Sequence, residues 1–413
     1  MRILVVTQYF WPETFRINEI VKHLSERGHE VTVLTGLPNY PAGKIFPKFR
    51  ERPGHFASYY GARIVRVPLI ARGNTRWRLM LNYLTYAISA AAIGAWHLRG
   101  QPFDAIFVFQ VSPVTSALPA VWLRAVKRAP VAMWILDLWP ETLSAVGALR
   151  SPRAVSIVDR IVSYIYRRCD CILIQSQAFL SSVRKRAGDG ADVRYFPAWA
   201  ETAFEGSLDA VEPAPELAPY RDTFNIMFAG NIGEAQDFPT ILAAADRIRD
   251  RDDIRWLVIG DGRGANALRA EIKERGLGKQ VIMLGRHPME RMPSFFKGAG
   301  SLLVALKAEP VFALTIPGKV QSYLSSGKPI IGMLDGEGAR VIHEAGAGIV
   351  APAGDSGALA NAVVSLADRN VAERARMGAA GRAYCKQNFD RAQLLDCLED
   401  WLDNLACSYG RAR

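Results

Sequence analysis

Cysteine is scarce in this chain: five residues, Cys169, Cys171, Cys385, Cys397 and Cys407, an odd number without metal-site spacing. That excludes a disulfide framework and fits a reducing cytoplasm. No Gly-x-Gly-x-x-Gly follows the first apolar run, which weighs against a dinucleotide-dependent oxidoreductase. Helix-turn-helix, zinc-finger and aromatic-ladder patterns are missing too, so nucleic acid is not the expected partner. The apolar run Met1 to Phe10 meets Pro12-Glu13 at once, leaving no room for a signal peptide, and reads as a first strand. Acidic residues are short in the first half only. Residues 1–198 hold 26 Lys+Arg against 12 Asp+Glu, a charge of +14, and the remainder 25 against 28, a charge of −3. A basic lobe beside a nearly neutral one points to an anionic partner for the first lobe, and an anionic membrane surface fits best.

What is present is an alternation of strands and helices. At 413 residues, 50% of them hydrophobic, the chain has material for two to three soluble domains. Ile3 to Val6, the apolar face Ile17, Ile20, Val21 and Leu24 ending at Gly28, and Val31 to Leu34 make a βαβ unit, the start of a parallel sheet. Arg16 and Asn18, in the loop and first turn between them, are placed to face the crevice beyond the strand ends. Gly36 to Gly43 is a loop by its Pro, Gly and Asn content. A basic run through Lys44, Lys48, Arg50, Arg52, Arg63, Arg66, Arg72, Arg76 and Arg78 follows. Leu79 to Leu98 is then an apolar segment of twenty residues. It reads as a helix packed in the first domain, as a membrane-surface helix, or as a span, and the strand Ala105 to Phe109 after it argues against a span. Val131 to Leu136 is another strand, with Asp137 and Glu141 just past its end. Carboxylates there suit acid/base work or a grip on acceptor hydroxyls.

From Phe196 to Asp222 prolines and glutamates erase any period, which predicts a linker at 199–222 between domains 1–198 and 223–389. Asn225 to Ala229, Trp256 to Ile259 and Gln280 to Leu284 are then strands, each followed by a glycine loop: Gly230 to Gly233, Gly260 to Gly262, and Gly285. Three such loops in succession predict a cradle of backbone N–H groups for a phosphate. The segment Thr315 to Ile331 carries the sharpest signal. Pro317 suits a first helical turn, Val320, Tyr323 and Leu324 form one apolar stripe, and Gly327 ends the helix. A helix N-terminus offers unpaired N–H groups and about half a positive charge. Lys319 adds a full charge in the same turn, so a sugar-nucleotide diphosphate is expected there.

With Gln8 to Glu13, Thr35 to Pro41, Asp137 to Glu141, Gly230 to Gly233 and Ile316 to Lys319 in view, the chain resembles a GT-B glycosyltransferase of the large retaining family 4 type. Those motifs are most similar to L-fucosamine transferases of O-antigen, capsule and colanic-acid assembly. The resemblance covers nearly the whole chain. It implies an α/β fold of two Rossmann-like parallel-sheet domains facing across a cleft, with the final helix, 390–406, packed back on the first. The second lobe would bind the donor through Gly230, Asn231, Gly233, Gln236, Gly260, Gly262, Arg286, Thr315, Pro317, Gly318, Lys319, Gln321 and Ser322, with Arg286 near the base. The first would bind the acceptor through Glu13, Asn18, Asn39, Tyr40, Asp137, Trp139 and Glu141. The sequence departs from the family pattern at three places. Asn231 and Gln236 stand in the region of a usual Arg…Lys pair. Leu314 and Ser322 take the places of two glutamates, with Glu309 and Gln321 off register. Leu136 replaces a histidine. Leaving-group stabilisation then falls to Lys319 and Arg16.

The expected reaction is transfer from a UDP-sugar, such as one carrying N-acetylfucosamine, to a polyprenyl-diphosphate-linked saccharide in surface polysaccharide assembly. Lys319, Asp137 and Arg16 are its catalytic candidates, with no metal and no cofactor. The protein would be cytoplasmic, peripheral on the inner face of the plasma membrane. Two alternatives share the fold: a non-hydrolysing UDP-sugar 2-epimerase and a non-catalytic nucleotide-sugar-binding partner subunit.

Overall fold

A computed structural model describes all of the chain except Asn74, Val146, Ala148, Arg150, Glu205, Ser207, Ala412, Arg413 and the side chain of Arg76. Arg76 of the basic run and Glu205 of the expected linker therefore lie outside what is described at side-chain level. The chain divides into two compact units, Met1–Pro197 with Ala392–Arg413, and Ala198–Arg391.

The first unit is built on eight strands: β1 (Arg2–Val6), β2 (Glu30–Gly36), β3 (Ser58–Tyr59), β4 (Ala62–Val67), β5 (Ala105–Gln110), β6 (Val131–Ile135), β7 (Cys171–Ile174) and β8 (Val193–Tyr195). Their order is β3-β4-β2-β1-β5-β6-β7-β8, all parallel except the β3-β4 pair. Val5 pairs with Val33 on one side and Phe107 on the other. The central strands are buried on both faces, as the unbroken runs Ile3-Leu4-Val5-Val6 and Ile106-Phe107-Val108-Phe109 require. The strand order turns back on itself between β1 and β5, which opens a crevice at their carboxyl ends. Four cis prolines shape that rim, Pro12, Pro41, Pro113 and Pro140, after β1, β2, β5 and β6. The closing helix, Arg391–Arg411, packs on this unit. Its Glu399 accepts from Arg27 at 3.0 Å and its Trp401 packs edge-on to Phe196.

The second unit is a parallel sheet of six strands: β9 (Phe224–Ala229), β10 (Ile254–Ile259), β11 (Val281–Gly285), β12 (Ser301–Ala305), β13 (Ile330–Met333) and β14 (Gly348–Ala351). The order β11-β10-β9-β12-β13-β14 puts its turning point between β9 and β12. Helices cover both faces. Val320, Tyr323 and Leu324 of the helix Gly318–Ser326 pack on one, and Ile241, Leu242 and Ala245 of Phe238–Arg247 on the other. The expected class, two parallel-sheet α/β domains, is what the chain adopts.

One reading changes and another narrows to the first of its alternatives. The stretch 199–222 is not a bare linker. Short turns of 3₁₀ helix lay Phe204, Leu208, Ala214 and Leu217 into the second unit's core. Prolines and glutamates hide those four apolar side chains from any periodicity test. The apolar segment at 79–98 is a helix, Arg76–Ser89, extended through the turn Ala90–Gly94 and Ala95–His97. One face packs on the sheet: Asn82 and Tyr86 are fully buried, and the Asn82 amide donates to the carbonyl of Ile70 at 2.7 Å.

Candidate active site

In the second unit the loops after β9 and β12 flank the turning point, and Lys319 joins them. Its ammonium lies 3.6 Å above the Phe228 ring, and a Cβ on Gly230 would stand 2.9 Å from its Nζ. Only glycine at 230, with φ at +135°, leaves room for this side chain. Among the described residues no carboxylate pairs with Lys319. Burial holds its pKa down to about 7, because the charged amine has given up water without gaining an anion. The helix behind it starts from Pro317, whose carbonyl receives the N–H of Val320 at 2.8 Å. The N–H groups of Gly318 and Lys319 have no carbonyl within the helix to reach. A Cβ on Gly318 would meet nothing within 4 Å, so this helix mouth is open. A buried cation and leftover N–H groups in one helical turn, with open space beside Gly318, are the ingredients of a candidate anion site.

The glycine loops do something other than expected. The N–H of Gly230 donates to Ile259 at 2.8 Å, that of Ile232 to Asp261 at 2.9 Å, and that of Gly260 to Gly285 at 2.7 Å. Gly262 donates to the Asp261 carboxylate at 2.8 Å and Gly233 to Gln236 Oε1 at 3.1 Å. These groups bond one another, so the stack of loops is a shelf rather than a cradle. Glycine is needed for close packing: a Cβ on Gly260 would lie 1.8 Å from the carbonyl oxygen of Gly230. Gly260→Ala is expected to lower stability by about 2–3 kcal/mol, through that collision and a φ of +145°. Urea unfolding measures it, and an unchanged midpoint would show that the loops can separate at no cost.

Other donor-side candidates are also committed within the protein. Gln321 is fully buried, and with its amide oriented so that Nε2 faces them it donates to the carbonyls of Pro317 at 3.0 Å and Gly318 at 3.2 Å. The Ser322 hydroxyl bonds the carboxylate of Glu201 and the carbonyl of Gly318. Thr315 Oγ1 donates to Val311 at 3.3 Å. Gln236 closes the turn at Gly233. Asn231 and Arg286 keep exposed side chains, the latter just after β11. Sequence reasoning missed Glu201, which reaches Ser322 across 121 positions from a stretch read as linker.

In the first unit, four residues expected to touch an acceptor instead hold the frame. Glu13 accepts the N–H groups of Tyr40 at 2.6 Å, Asn39 at 2.8 Å and Phe10 at 3.1 Å. Burial pushes its carboxyl up to about 7 while those three donors and Arg66 pull it down. Because a protonated carboxyl would lose an acceptor, the ionised form is the one this loop holds. Asn39 is fully buried, donating to Leu37 at 2.8 Å and accepting from the Arg72 N–H at 3.0 Å. Asn18 donates to the Glu13 carbonyl at 2.7 Å. Glu141 pairs with Arg186 at 2.8 Å and accepts from Ser182 at 2.8 Å. Arg16, the expected second cation for the leaving group, pairs with Glu19 at 3.4 Å.

Asp137 differs from these carboxylates. No hydrogen bond or ion pair to it is found among the described residues, and burial alone pushes its pKa up to about 7. Around it the strand ends gather aromatic rings: Tyr40 lies 5.4 Å from Tyr9, and Trp139 6.5 Å from Tyr83. The buried Trp139 Nε1 has no hydrogen-bond partner. Arg72 sits 5.3 Å above the Tyr40 ring, and the charges of Arg72 and Asp137 both act on the Tyr83 hydroxyl. Among the described residues Arg72 has no carboxylate partner. Tyr9, Arg72 and Tyr83 were absent from the sequence-based set; the polar side of the apolar helix at Asn82 was the available hint.

Two parallel-sheet domains, one with a candidate anion site in a first helical turn and one with a carboxylate that has no partner among the described residues, suit a glycosyltransferase. Residues 14–199 match the family model of a glycosyl transferase 4-like domain, and residues 223–369 that of glycosyl transferases group 1. Successive parts of the chain thus match two glycosyl transferase domain models, and the chain is a glycosyltransferase. WcaI of Escherichia coli K12, whose name assigns it provisionally to colanic acid biosynthesis as a glycosyl transferase, is 24% identical over 344 residues, 79% of this chain and 82% of WcaI. Three solved structures share the fold. HepE of Anabaena, in complex with UDP and glucose, gives a TM-score of 0.67 at 15% identity over 98% of this chain and 99% of HepE. Sucrose-phosphate synthase of Thermosynechococcus elongatus gives 0.72 at 16% over 98% and 99%. WaaG, a glycosyltransferase involved in lipopolysaccharide biosynthesis, gives 0.67 at 14% over 97% and 99%.

Proposed function

We propose that this enzyme transfers a sugar from a UDP-linked donor to a hydroxyl of a lipid-diphosphate-linked saccharide in surface polysaccharide assembly. The observation that carries the reading is Lys319: a lysine without a carboxylate partner, against Gly230, at the open mouth of Gly318–Ser326. When the bond from the anomeric carbon to the diphosphate breaks, negative charge grows on the departing UDP. The ammonium and the helix N–H groups would meet that charge, and one such donor is worth about 3–4 kcal/mol of barrier. On the other substrate, Asp137 would accept the hydrogen bond of the attacking hydroxyl and then its proton. Tyr9, Tyr40 and Tyr83 offer ring faces to a saccharide, and Arg72 a cation to an anionic acceptor.

Uridine is supported by HepE, whose structure holds UDP, and the polysaccharide setting by the likeness to WcaI. An N-acetylated deoxy-aminosugar such as N-acetylfucosamine fits a site in which Gln321 and Ser322 are turned to protein partners, leaving few groups for sugar hydroxyls. A lipid-linked acceptor also accounts for the basic first half, which would face an anionic membrane from the cytoplasmic side.

The test is to incubate purified enzyme with a panel of UDP-sugars, with and without lipid-linked acceptor, and follow UDP and the donor. UDP released only with acceptor is the expected result. Isomerised donor without acceptor would assign a 2-epimerase, and binding without turnover across the panel would assign a partner subunit.

A further inference from the structure

The helix Arg76–Ser89 and its extension to His97 are apolar on two faces, where a helix at the edge of a core needs one. The inner face is explained by the sheet: Tyr86 and Ala90 are fully buried, and a Cβ on Gly94 would come within 2.8 Å of Leu34. The outer face is not. Trp77, Met80, Leu84 and Ile88 follow at spacings of three, four and four, which puts them in one line along the helix. They are 57%, 57%, 44% and 67% exposed, and Trp96 beyond the turn is 66% exposed. Beside it the helix Leu118–Lys127 exposes Trp122 and Val126. Single exposed apolar residues are ordinary, but a continuous row with tryptophan at both ends marks an interaction surface.

Charge identifies the partner. Residues 52–136 contain ten Lys+Arg and one acid, Asp104, which is paired with Arg2. Arg66 is half-buried on backbone carbonyls and Arg124 is paired with Asp170, while Arg78, Arg99 and Arg128 are exposed with no carboxylate partner among the described residues. Arg99 lies 3.8 Å over the Trp96 ring and Arg78 5.6 Å from the Trp77 ring, so each end of the row couples an aromatic ring to a cation. Indole rings and guanidinium groups around an apolar stripe are the chemistry of a bilayer headgroup layer. A second copy of this chain would bring the same basic rim against itself. We propose that this face docks in the plane of an anionic lipid surface, without crossing it. Crossing is excluded because the opposite face is committed to the sheet, in which β5, the next strand, is central.

The inference stands apart from the transfer reaction, since neither donor nor acceptor is needed to measure it. The full chain is floated with vesicles of phosphatidylcholine alone or mixed with phosphatidylglycerol. Binding to the mixed vesicles and little to the neutral ones is expected. The double variant Leu84→Glu/Ile88→Glu should bind at least roughly tenfold more weakly, because two charges would enter the interface. Arg78→Gln and Arg99→Gln should each weaken binding about fivefold, the equivalent of one basic residue at an anionic surface. All these side chains are exposed, so urea unfolding should be unchanged and separates docking from misfolding. Failure of the wild type to float, or equal flotation of wild type and Leu84→Glu/Ile88→Glu, overturns the proposal. So does a dimer in solution that this variant dissociates without any vesicle binding, which would give the face to a second copy.

Discussion

Lys319→Met is expected to lower transfer by about 10²–10³-fold while the protein stays folded, and to flatten the pH dependence of UDP binding. The rate effect follows from position. The amine has no protein anion to neutralise it, so its charge is available to a diphosphate and to nothing else nearby among the described residues. Methionine keeps most of the stem that crosses Gly230 and removes only the charge. The pH effect follows from burial, which brings the free amine to about 7. Above that pH the empty site holds mostly neutral lysine, whereas a bound diphosphate favours the ammonium. Binding must therefore take up a proton, close to one per UDP at about pH 8, and affinity should fall about tenfold per pH unit until the pKa of the complex is reached. Calorimetry in two buffers of different ionisation enthalpy reads the proton directly. Proton uptake that survives in Lys319→Met would assign the titration, and the diphosphate contact, to another group.

What the sequence made legible here was backbone and position; what it concealed was commitment. The alternation of apolar runs with amphipathic helices located β1, β2, β5, β6, β9, β10 and β11 well enough to give the fold class, because strands buried on both faces leave continuous runs, whereas the edge strands β3, β8 and β14 and their neighbour β4 left no such signal. The start and end of Gly318–Ser326 were visible since Pro317 and Gly327 act locally, Gly327 at a φ of +71°. Whether a polar side chain is free is not a local property. Glu13 meets its donors 26 and 27 positions away, Ser322 meets Glu201 at 121, and Glu141 meets Arg186 at 45. Each looks like a site residue until its partner is known. The glycine loops mislead in the same way: their spacing is that of a phosphate cradle, yet their N–H groups close on neighbouring loops. Lys319 and Asp137 are buried charges of that set with no charged partner among the described residues, and only the folded chain displays such a lack.

Asp137→Asn should therefore act on the acceptor half of the reaction alone. Asp137 and Glu141 are indistinguishable in sequence as carboxylates past one strand end, but Glu141 is tied to Arg186 and Asp137 is not. Burial raises Asp137 to about 7, so the ionised form, the one able to accept a hydroxyl proton, is lost as the pH falls through that value. In wild-type enzyme the acceptor-dependent rate should rise about tenfold per pH unit up to neutrality, as a general base requires. Lys319 imposes the opposite limb on kcat/KM, since the empty site loses its cation above about 7. The two together give a profile peaked near neutrality. Asp137→Asn should remove the acidic limb and cut kcat by about 10²–10⁴-fold. It should leave UDP affinity and its proton uptake as in wild type. Lys319→Met should remove the alkaline limb instead. If Asp137→Asn weakened UDP binding as much as turnover, or kept the acidic limb, the carboxylate would belong to the donor site or to the frame, and the acceptor's proton would need another destination.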